Sequence, residues 1–378
     1  FILYFSISFI SSLEKDASAA NLTINKSSTH LSEVITRDTF KDNLLEIKFM
    51  SFEYFILEHI DNWGTNRFKV SIDKPIIFVC GGQLEYIDQY KNQSDAFPQK
   101  FQSLRKFFCD NIFYVQHAKK NVICENIHLA EDFYNYIQVG RYTNLLDFEH
   151  DIAQISSHVL IFLESEGALV ELGMFIGNEH LNNKLVVVVP NEHRQSESFI
   201  NFGPLEYLKS INDDSVLTFD WCNNNKNYTQ DMVQSITEEL IEKLPKTKSI
   251  AFNSNNSSHH IFLIYELIKI FYPITVKELI DSQKIILDTN SFSKRICENY
   301  TYLLKSLGYI ESYDYSSKTY FYPVNPDLIK VYLKRKNTEC PPFDIIKLGL
   351  SKISYLENDR KRKQAFEKIQ QILNGDPK

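Results

Sequence analysis

The sequence predicts an α/β protein, a doubly wound parallel sheet followed by a smaller C-terminal winged-helix domain, and three observations carry that prediction. Uninterrupted apolar runs at residues 76–80, 159–163 and 184–189 are the pattern of strands buried on both faces. Between them lie stretches with apolar residues at helical spacing, such as 145–157, the alternation that builds a parallel sheet with crossover helices. From residue 259 the pattern changes to three helical periods and then two short strands about the polar turn Ser316-Ser317-Lys318, the order of a winged helix-turn-helix.

The chain has 378 residues, 43% of them apolar, enough for one moderately large domain and a second smaller one. The net charge of −7 is unevenly spread. Residues 1–250 hold 22 basic and 34 acidic side chains, residues 251–378 hold 19 and 14, so the two parts differ in sign. A basic C-terminal part fits a nucleic-acid contact there, and also ordinary solvated surface. Six cysteines without a C-x-x-C pair, and without histidines at ligand spacing, indicate reduced thiols of a cytoplasmic protein and no structural metal. The apolar residues 1–13 are too short to span a membrane, and Glu14, Lys15 and Asp16 argue against a signal peptide. The first methionine is Met50, and residues 1–49, rich in Ser, Thr and Asn, are expected to be an extension with no packed role.

In order, the expected domains are an α/β domain at 50–245, a linker at 246–258 rich in Asn and Ser, a winged helix at 259–335 and a basic helical tail at 336–378. Residues 52–60 form a short amphipathic helix. The first strand, 76–80, ends in Gly81-Gly82, where the backbone can approach a ligand closely or simply turn, and Gln83 adds an amide. Apolar positions at Phe97, Phe101, Leu104, Phe107 and Phe108 predict a helix, residues 111–118 a second strand, and 122–126 an apolar run ending near Glu125. The strand 159–163 stops at a polar turn holding Glu164, Ser165, Glu166 and Gly167, and a helix begins at Ala168. A small-residue turn into a helix at the carboxyl end of a parallel strand is a common ligand site. Glu171, placed on the first turn of that helix, faces the crevice; a glutamate there also serves as a plain partner of the helix dipole. After the fourth strand, a loop with His193 and Arg194 precedes Phe199, Asn201 and Phe202, where Asn201 can bond a base or ribose and the aromatics can either stack or fill the core. In the C-terminal part, Thr275 and Glu278 have capping-box spacing, the third helix carries Lys294, Arg295 and Lys305 as nucleic-acid candidates, and Lys334–Lys336 and residues 360–363 add basic surface. Winged helices also serve as protein-contact modules.

The motif Glu164-Ser165-x-Gly167-Ala168-x-x-Glu171-Leu172-Gly173-x-Phe175 resembles the active-site signature of the nucleoside 2-deoxyribosyltransferase-like effectors of bacterial retrons, a branch of the N-glycosidase superfamily. Residues 76–82 and 198–204 match two further blocks in the same order. The resemblance implies a nucleoside deoxyribosyltransferase-like fold, Glu171 as the catalytic carboxylate, and Gly81, Gly82, Ser165 and Gly167 around a ribose and phosphate site. It also aligns Glu125 and Glu149 with family glutamates, which makes Glu125 a candidate for ribose or base contact, with a solvated loop residue as the alternative. His158 stands where the wider family has an aspartate.

Together these imply an antiphage toxin that cleaves the N-glycosidic bond of NAD⁺ or a related nucleotide. No metal or cofactor is needed, and no membrane is implied. The resemblance further implies restraint by a reverse transcriptase and its multicopy single-stranded DNA–RNA product, with homo-oligomers or higher assemblies left open. The rival reading is a nucleotide-sensing, winged-helix DNA-binding regulator without catalysis. Free nicotinamide from NAD⁺ separates the two.

Overall fold

The structure is a computed structural model that describes residues 52–72, 74–84, 103–133, 142–191, 197–221, 227–244, 249–288, 292–324, 329–341 and 344–375. The expected extension at 1–49, the loop with His193 and Arg194, and the first part of the helix expected from Phe97 lie outside these residues.

The described chain begins with α1 (Phe52–Ile60) and β1 (Lys69–Ile72), then β2 (Ile77–Cys80), α2 (Leu104–Asn111), α3 (Lys120–Cys124), β3 (Ile127–Leu129), α4 (Leu145–Ile155) and β4 (His158–Phe162). Next come α5 (Glu166–Ile176), α6 (Glu179–Asn182), β5 (Leu185–Pro190), a π-turn at Asn201–Leu205, α7 (Glu206–Ile211), β6 (Val216–Phe219) and α8 (Gln230–Glu242). Five of these strands form one parallel sheet in the order β3-β2-β4-β5-β6. Alternate residues of the central strands enter two different cores. Ile77, Val79, Leu160, Phe162, Val186 and Val188 pack under α2 and α8, while Phe78, Val159, Ile161, Val187 and Val189 pack under α4 and α5. Helices on both faces explain why β2, β4 and β5 are apolar at nearly every position and buried throughout.

The edges of the sheet differ from expectation. Residues 111–118 are not a strand: they finish α2 and make a tight turn in which only Ile112 and Val115 are buried, with Phe113 and Tyr114 facing solvent. The run 122–126 is mostly the helix α3, and the edge strand β3 follows it. The other edge, β6, is half-buried throughout, which leaves no apolar run to mark it.

The C-terminal part comprises β7 (Ile250–Ala251), α9 (Ser257–Phe271), α10 (Val276–Leu287), α11 (Lys294–Ser306), the hairpin β8 (Ile310–Tyr315) and β9 (Lys318–Pro323), β10 (Ile329–Tyr332), α12 (Ile345–Asn358) and α13 (Arg360–Leu373). Helix α9 is apolar around most of its circumference, with twelve of its fifteen residues buried, so it must be surrounded. It packs against α4 on one side and α10, α11, β9 and β10 on the others. Strand β1 is flanked by β10 and β7 in an antiparallel sheet, so the stretch expected to be only a linker supplies a short strand. Its Val70 lies opposite both Val331 and Ile250, a pairing set by partners far away in sequence.

Helices α10 and α13 meet at a buried ion pair. Thr275 and Glu278 form the expected capping box, and the Glu278 carboxylate also receives both terminal nitrogens of Arg362. The guanidinium stacks on Phe52 at 3.9 Å from the ring centroid and donates to the carbonyl of Pro273. Arg362 therefore leaves the basic surface expected of residues 360–363, while Arg360, Lys361 and Lys363 remain exposed. With Arg362 and Glu278 2% and 1% exposed, losing one partner strands the other charge away from water. Arg362→Ala should destabilise the protein by about 3–5 kcal/mol in urea denaturation, and Arg362→Met combined with Glu278→Gln should recover most of that loss.

Candidate functional site

The turn after β4 is locked to the turn after β2 by one carboxylate. Glu164 accepts the backbone N–H groups of Gly82 at 3.3 Å, Leu104 at 2.8 Å and Arg105 at 3.0 Å. Two of these belong to the first turn of α2, whose free amides favour an anion. Burial raises the Glu164 pKa, opposed by the same three N–H groups. A Cβ on Gly82 would lie 2.8 Å from Ser103 Cβ and 3.0 Å from Glu164 Cγ, and one on Gly81, at φ +150°, would lie 2.8 Å from Phe162 Cβ. The glycine pair thus lets two turns pack directly on each other. Ser103 donates to the carbonyl of Gln83 at 2.6 Å, and the Gln83 side chain is exposed.

Ser165 caps α5, accepting from the Ala168 N–H at 3.2 Å and donating to the Gly81 carbonyl at 3.4 Å. Glu166, not Glu171, is the acidic residue of the first turn. Glu171 is the sixth residue of the helix, so the placement expected from spacing is corrected from the first turn to the second and the dipole account weakens. Its Oε2 is enclosed and has no hydrogen-bond partner among the described residues, and Cys80 hydrogen-bonds the carboxylate. Burial pushes the Glu171 pKa up to about 7, with Arg105 opposing and Glu131 adding to the rise. Glu149, on α4, is also pushed up to about 7, by burial and then by the charges of Glu171 and Glu131. Three carboxylates, one guanidinium and one thiol therefore share the space beyond the carboxyl ends of β2, β3 and β4. Two enclosed carboxyls raised toward neutrality in one place are a common mark of a functional site.

On the other flank of α5 lies a cavity of about 250 Å³, lined by Ser165, Glu166 and Leu169 with Val189, Ile200 and Asn201 among others. The structure brings Glu164, Ser165 and Asn201 together there, while Glu171 is not part of the lining. Gly167 sits on the exposed first turn of α5. Glu125 is not at this edge: it is exposed at the end of α3, two residues before β3, and so at the amino edge of the sheet. Phe199 and Phe202 are 84% and 70% exposed, which removes the core-filling account. His158 is buried at the start of β4 with a pKa lowered to about 4 by burial, a neutral ring on the amino side. Arg105 and Glu131 carry no periodic or motif signal, because only the fold brings them to Glu171.

The basic residues of α11 are engaged within the chain. Lys294 lies 3.7 Å from Glu298, and Lys305 reaches Glu311 at 2.8 Å and Ser312 at 2.9 Å. Arg295 crosses to the start of α4, donating to Thr143 at 2.7 Å beside Asp147 at 3.6 Å. No described helix is long and apolar enough to cross a membrane.

Comparison with known proteins returns a family model described as "STM3845 retron effector protein", which matches residues 102–312. From Escherichia coli, "Retron Ec86 putative ribosyltransferase/DNA-binding protein" is 30% identical over 154 residues, 40% of this chain and 42% of that protein. The retron Ec73 protein of the same description is 27% identical over 241 residues, 60% of this chain and 72% of its own length. The chain thus spans less than half the length of the first of these relatives.

The Glu164 clamp makes a prediction that separates it from its neighbours. Glu164→Ala would leave three N–H groups unmet and should lower stability by about 2–3 kcal/mol in thermal or urea unfolding. The exposed Glu166→Ala should change it by no more than about 0.5 kcal/mol.

Proposed function

The chain belongs to the STM3845 retron effector family, and from that premise we propose that it is an N-glycosidase whose substrate is NAD⁺ or a related nucleotide. The observation that supports this most is Glu171, an enclosed carboxylate with a free oxygen, titrating near 7 beyond the carboxyl ends of the central strands. The relatives' description as ribosyltransferases agrees with that chemistry. When the bond from C1′ to nicotinamide breaks, its electron pair leaves with the base and the sugar becomes oxocarbenium-like. The Glu171 carboxylate stabilises that charge or bonds to C1′, and water then supplies the hydroxyl and releases a proton. Gly81, Gly82, Ser165 and Gly167 shape the approach of ribose and phosphate, and Asn201 with the exposed Phe202 offers a base both an amide and a ring.

In this reading residues 50–245 form a nucleoside deoxyribosyltransferase-like catalytic domain, and α9, α10, α11 and the β8–β9 hairpin form a winged helix. As a retron effector the protein acts in antiphage defence, restrained by the reverse transcriptase and its DNA–RNA product. Lys294, Arg295 and Lys305 reach phosphates only by exchanging their acidic partners for them, which makes the association salt-sensitive. Changing all three to Glu should weaken binding of the DNA–RNA product and reduce the salt slope of log K by about 0.7–0.9 for each phosphate no longer neutralised. Unchanged binding and slope would mark the helices as a protein-contact module.

The central test is Glu171→Gln. A group that acts on charge developing in the transition state should lower turnover by about 10²–10³ or more and leave substrate affinity nearly intact, as read by nicotinamide release and equilibrium binding. Activity should rise with pH through about 7, because the ionised carboxylate is the working form. Stability moves the other way. A carboxyl raised from 4.5 to about 7 by burial favours the folded state below 4.5 and loses that contribution as pH climbs to 7, so Glu171→Gln should raise the melting temperature at pH 8. Near-normal turnover in a folded variant would remove Glu171 from the mechanism.

A further inference from the structure

Among the described residues around Glu171, one cation is buried with them. Arg105 is the second residue of α2, and its side chain is 4% exposed. Its stem lies along the Gly81 turn, where an added Cβ would approach Arg105 Cδ to 3.2 Å. Its Nη1 donates to the Gly82 carbonyl at 3.3 Å and to Glu131 Oε1 at 2.9 Å, and its Nη2 meets Glu131 Oε2 at 2.5 Å. The backbone N–H of the same residue is held by Glu164. Arg105 is therefore fixed by the turn after β2, the turn after β4 and the segment after β3 at once.

We propose that Arg105 is the positioning residue of this site, pinning the Gly81–Gly82 turn beside Cys80 and supplying the permanent positive charge that keeps Glu171 available as a carboxylate. Glu171, Glu149 and the partly exposed Glu131 repel each other, and a guanidinium, which keeps its proton at all working pH values, can offset them without titrating. Among the described residues, the charged and titratable groups facing Glu171 are Cys80 from β2, Arg105 from α2, Glu131 after β3 and Glu149 from α4. Arg105 lowers the pKa of both Glu171 and Glu149, whereas Glu131 raises it. The fork to Glu131 thus sets how much of the guanidinium's charge the other two carboxylates experience.

The inference rests on the glycosidase reading for its kinetic test, and the sign of the response distinguishes it from a structural role. In full-length protein, Arg105→Gln should move the acidic limb of the kcat profile for nicotinamide release upward by about one pH unit, roughly a tenfold loss well below the limb. Glu131→Gln should move it downward. Arg105→Lys keeps the charge and loses the fork, so its limb should stay near that of the wild type while KM for NAD⁺ rises. Titration of protein labelled with carbon-13 at the glutamate carboxyls, with the Glu171 signal identified by its loss in Glu171→Gln, should show the same two opposite shifts without any turnover. Limbs and titrations that stay put, or that move the same way in Arg105→Gln and Glu131→Gln, would overturn the proposal. If Arg105→Gln does not fold, Arg105→Lys decides: an unmoved limb with a raised KM supports the proposal, and an unmoved limb with an unchanged KM overturns it. A wild-type protein that releases no free base from NAD⁺ or from a panel of other nucleotides but shows the opposite carboxyl shifts would refute the glycosidase reading and leave the role of Arg105 standing.

Discussion

Three backbone amides converging on the Glu164 carboxylate determine where everything at the carboxyl edge of the sheet can be. They come from the turn after β2 and the start of α2, while the acceptor sits between β4 and α5. Without an acceptor there, the first turn of α2 would leave its donors unmet in a place partly closed to water. With it, two strand ends and two helix starts share one anchor. The anchor requires glycine at 82, because any side chain would collide with Ser103 and with Glu164 itself. It also aims Arg105, the next residue along α2, back under the Gly81–Gly82 turn toward Glu131. The polar group at Glu171 thus depends on a bond made by a different glutamate in the same motif.

Helix α4 joins this edge to the C-terminal part of the chain. Glu149 interacts with Glu171, Asp147 faces Arg295 of α11, and Asp151 accepts from the buried Tyr142 hydroxyl at 2.8 Å. Burial raises Asp151 to about 7, with the Tyr142 hydrogen bond pulling against the rise. Successive acidic residues on one helix therefore meet different parts of the molecule. The buried α9 lies against α4 and supports this arrangement from below. A change of partner at Arg295 acts on the same helix that holds Glu149, one turn from its start.

How far the sequence could be read depended on whether a residue's environment was local. Strands β2, β4 and β5 were legible because both faces are covered and the runs are apolar. The capping box at Thr275 and Glu278 was legible because its partners are three residues apart. Edge strands β3 and β6 are half-buried, and β1 is defined by partners far along the chain at Ile250 and Val331, so neither periodicity nor composition marked them. Residues 111–118 misled because aromatic side chains that look like strand material stand in solvent. At the site, the motif located the turn but not the division of labour within it: Glu164 holds backbone, Glu171 is enclosed, and Glu125 sits away at the opposite edge. Arg105 and Glu131 sit 26 residues apart with no pattern between them, and Arg362 was hidden inside a basic run whose other members are solvated.

Two ion pairs built on a buried arginine sit in different energetic situations. Arg362 and Glu278 close a junction between helices: the carboxylate is also used by a helix cap, and the guanidinium also by a carbonyl and an aromatic face. Arg105 and Glu131 also tie several turns together, but their surroundings are less fully satisfied. Arg105 Nε lacks a partner among the described residues, Glu171 Oε2 lacks one too, and two nearby carboxylates are driven toward their neutral forms. Enclosed polar atoms without partners cost stability, and apolar side chains in their place would make a firmer core. The fold keeps this arrangement over the carboxyl ends of its most buried strands while satisfying the pair at Arg362 fully, so its unmet hydrogen-bonding capacity is concentrated at the carboxyl edge of the sheet, the place where perturbed carboxyls are most often functional.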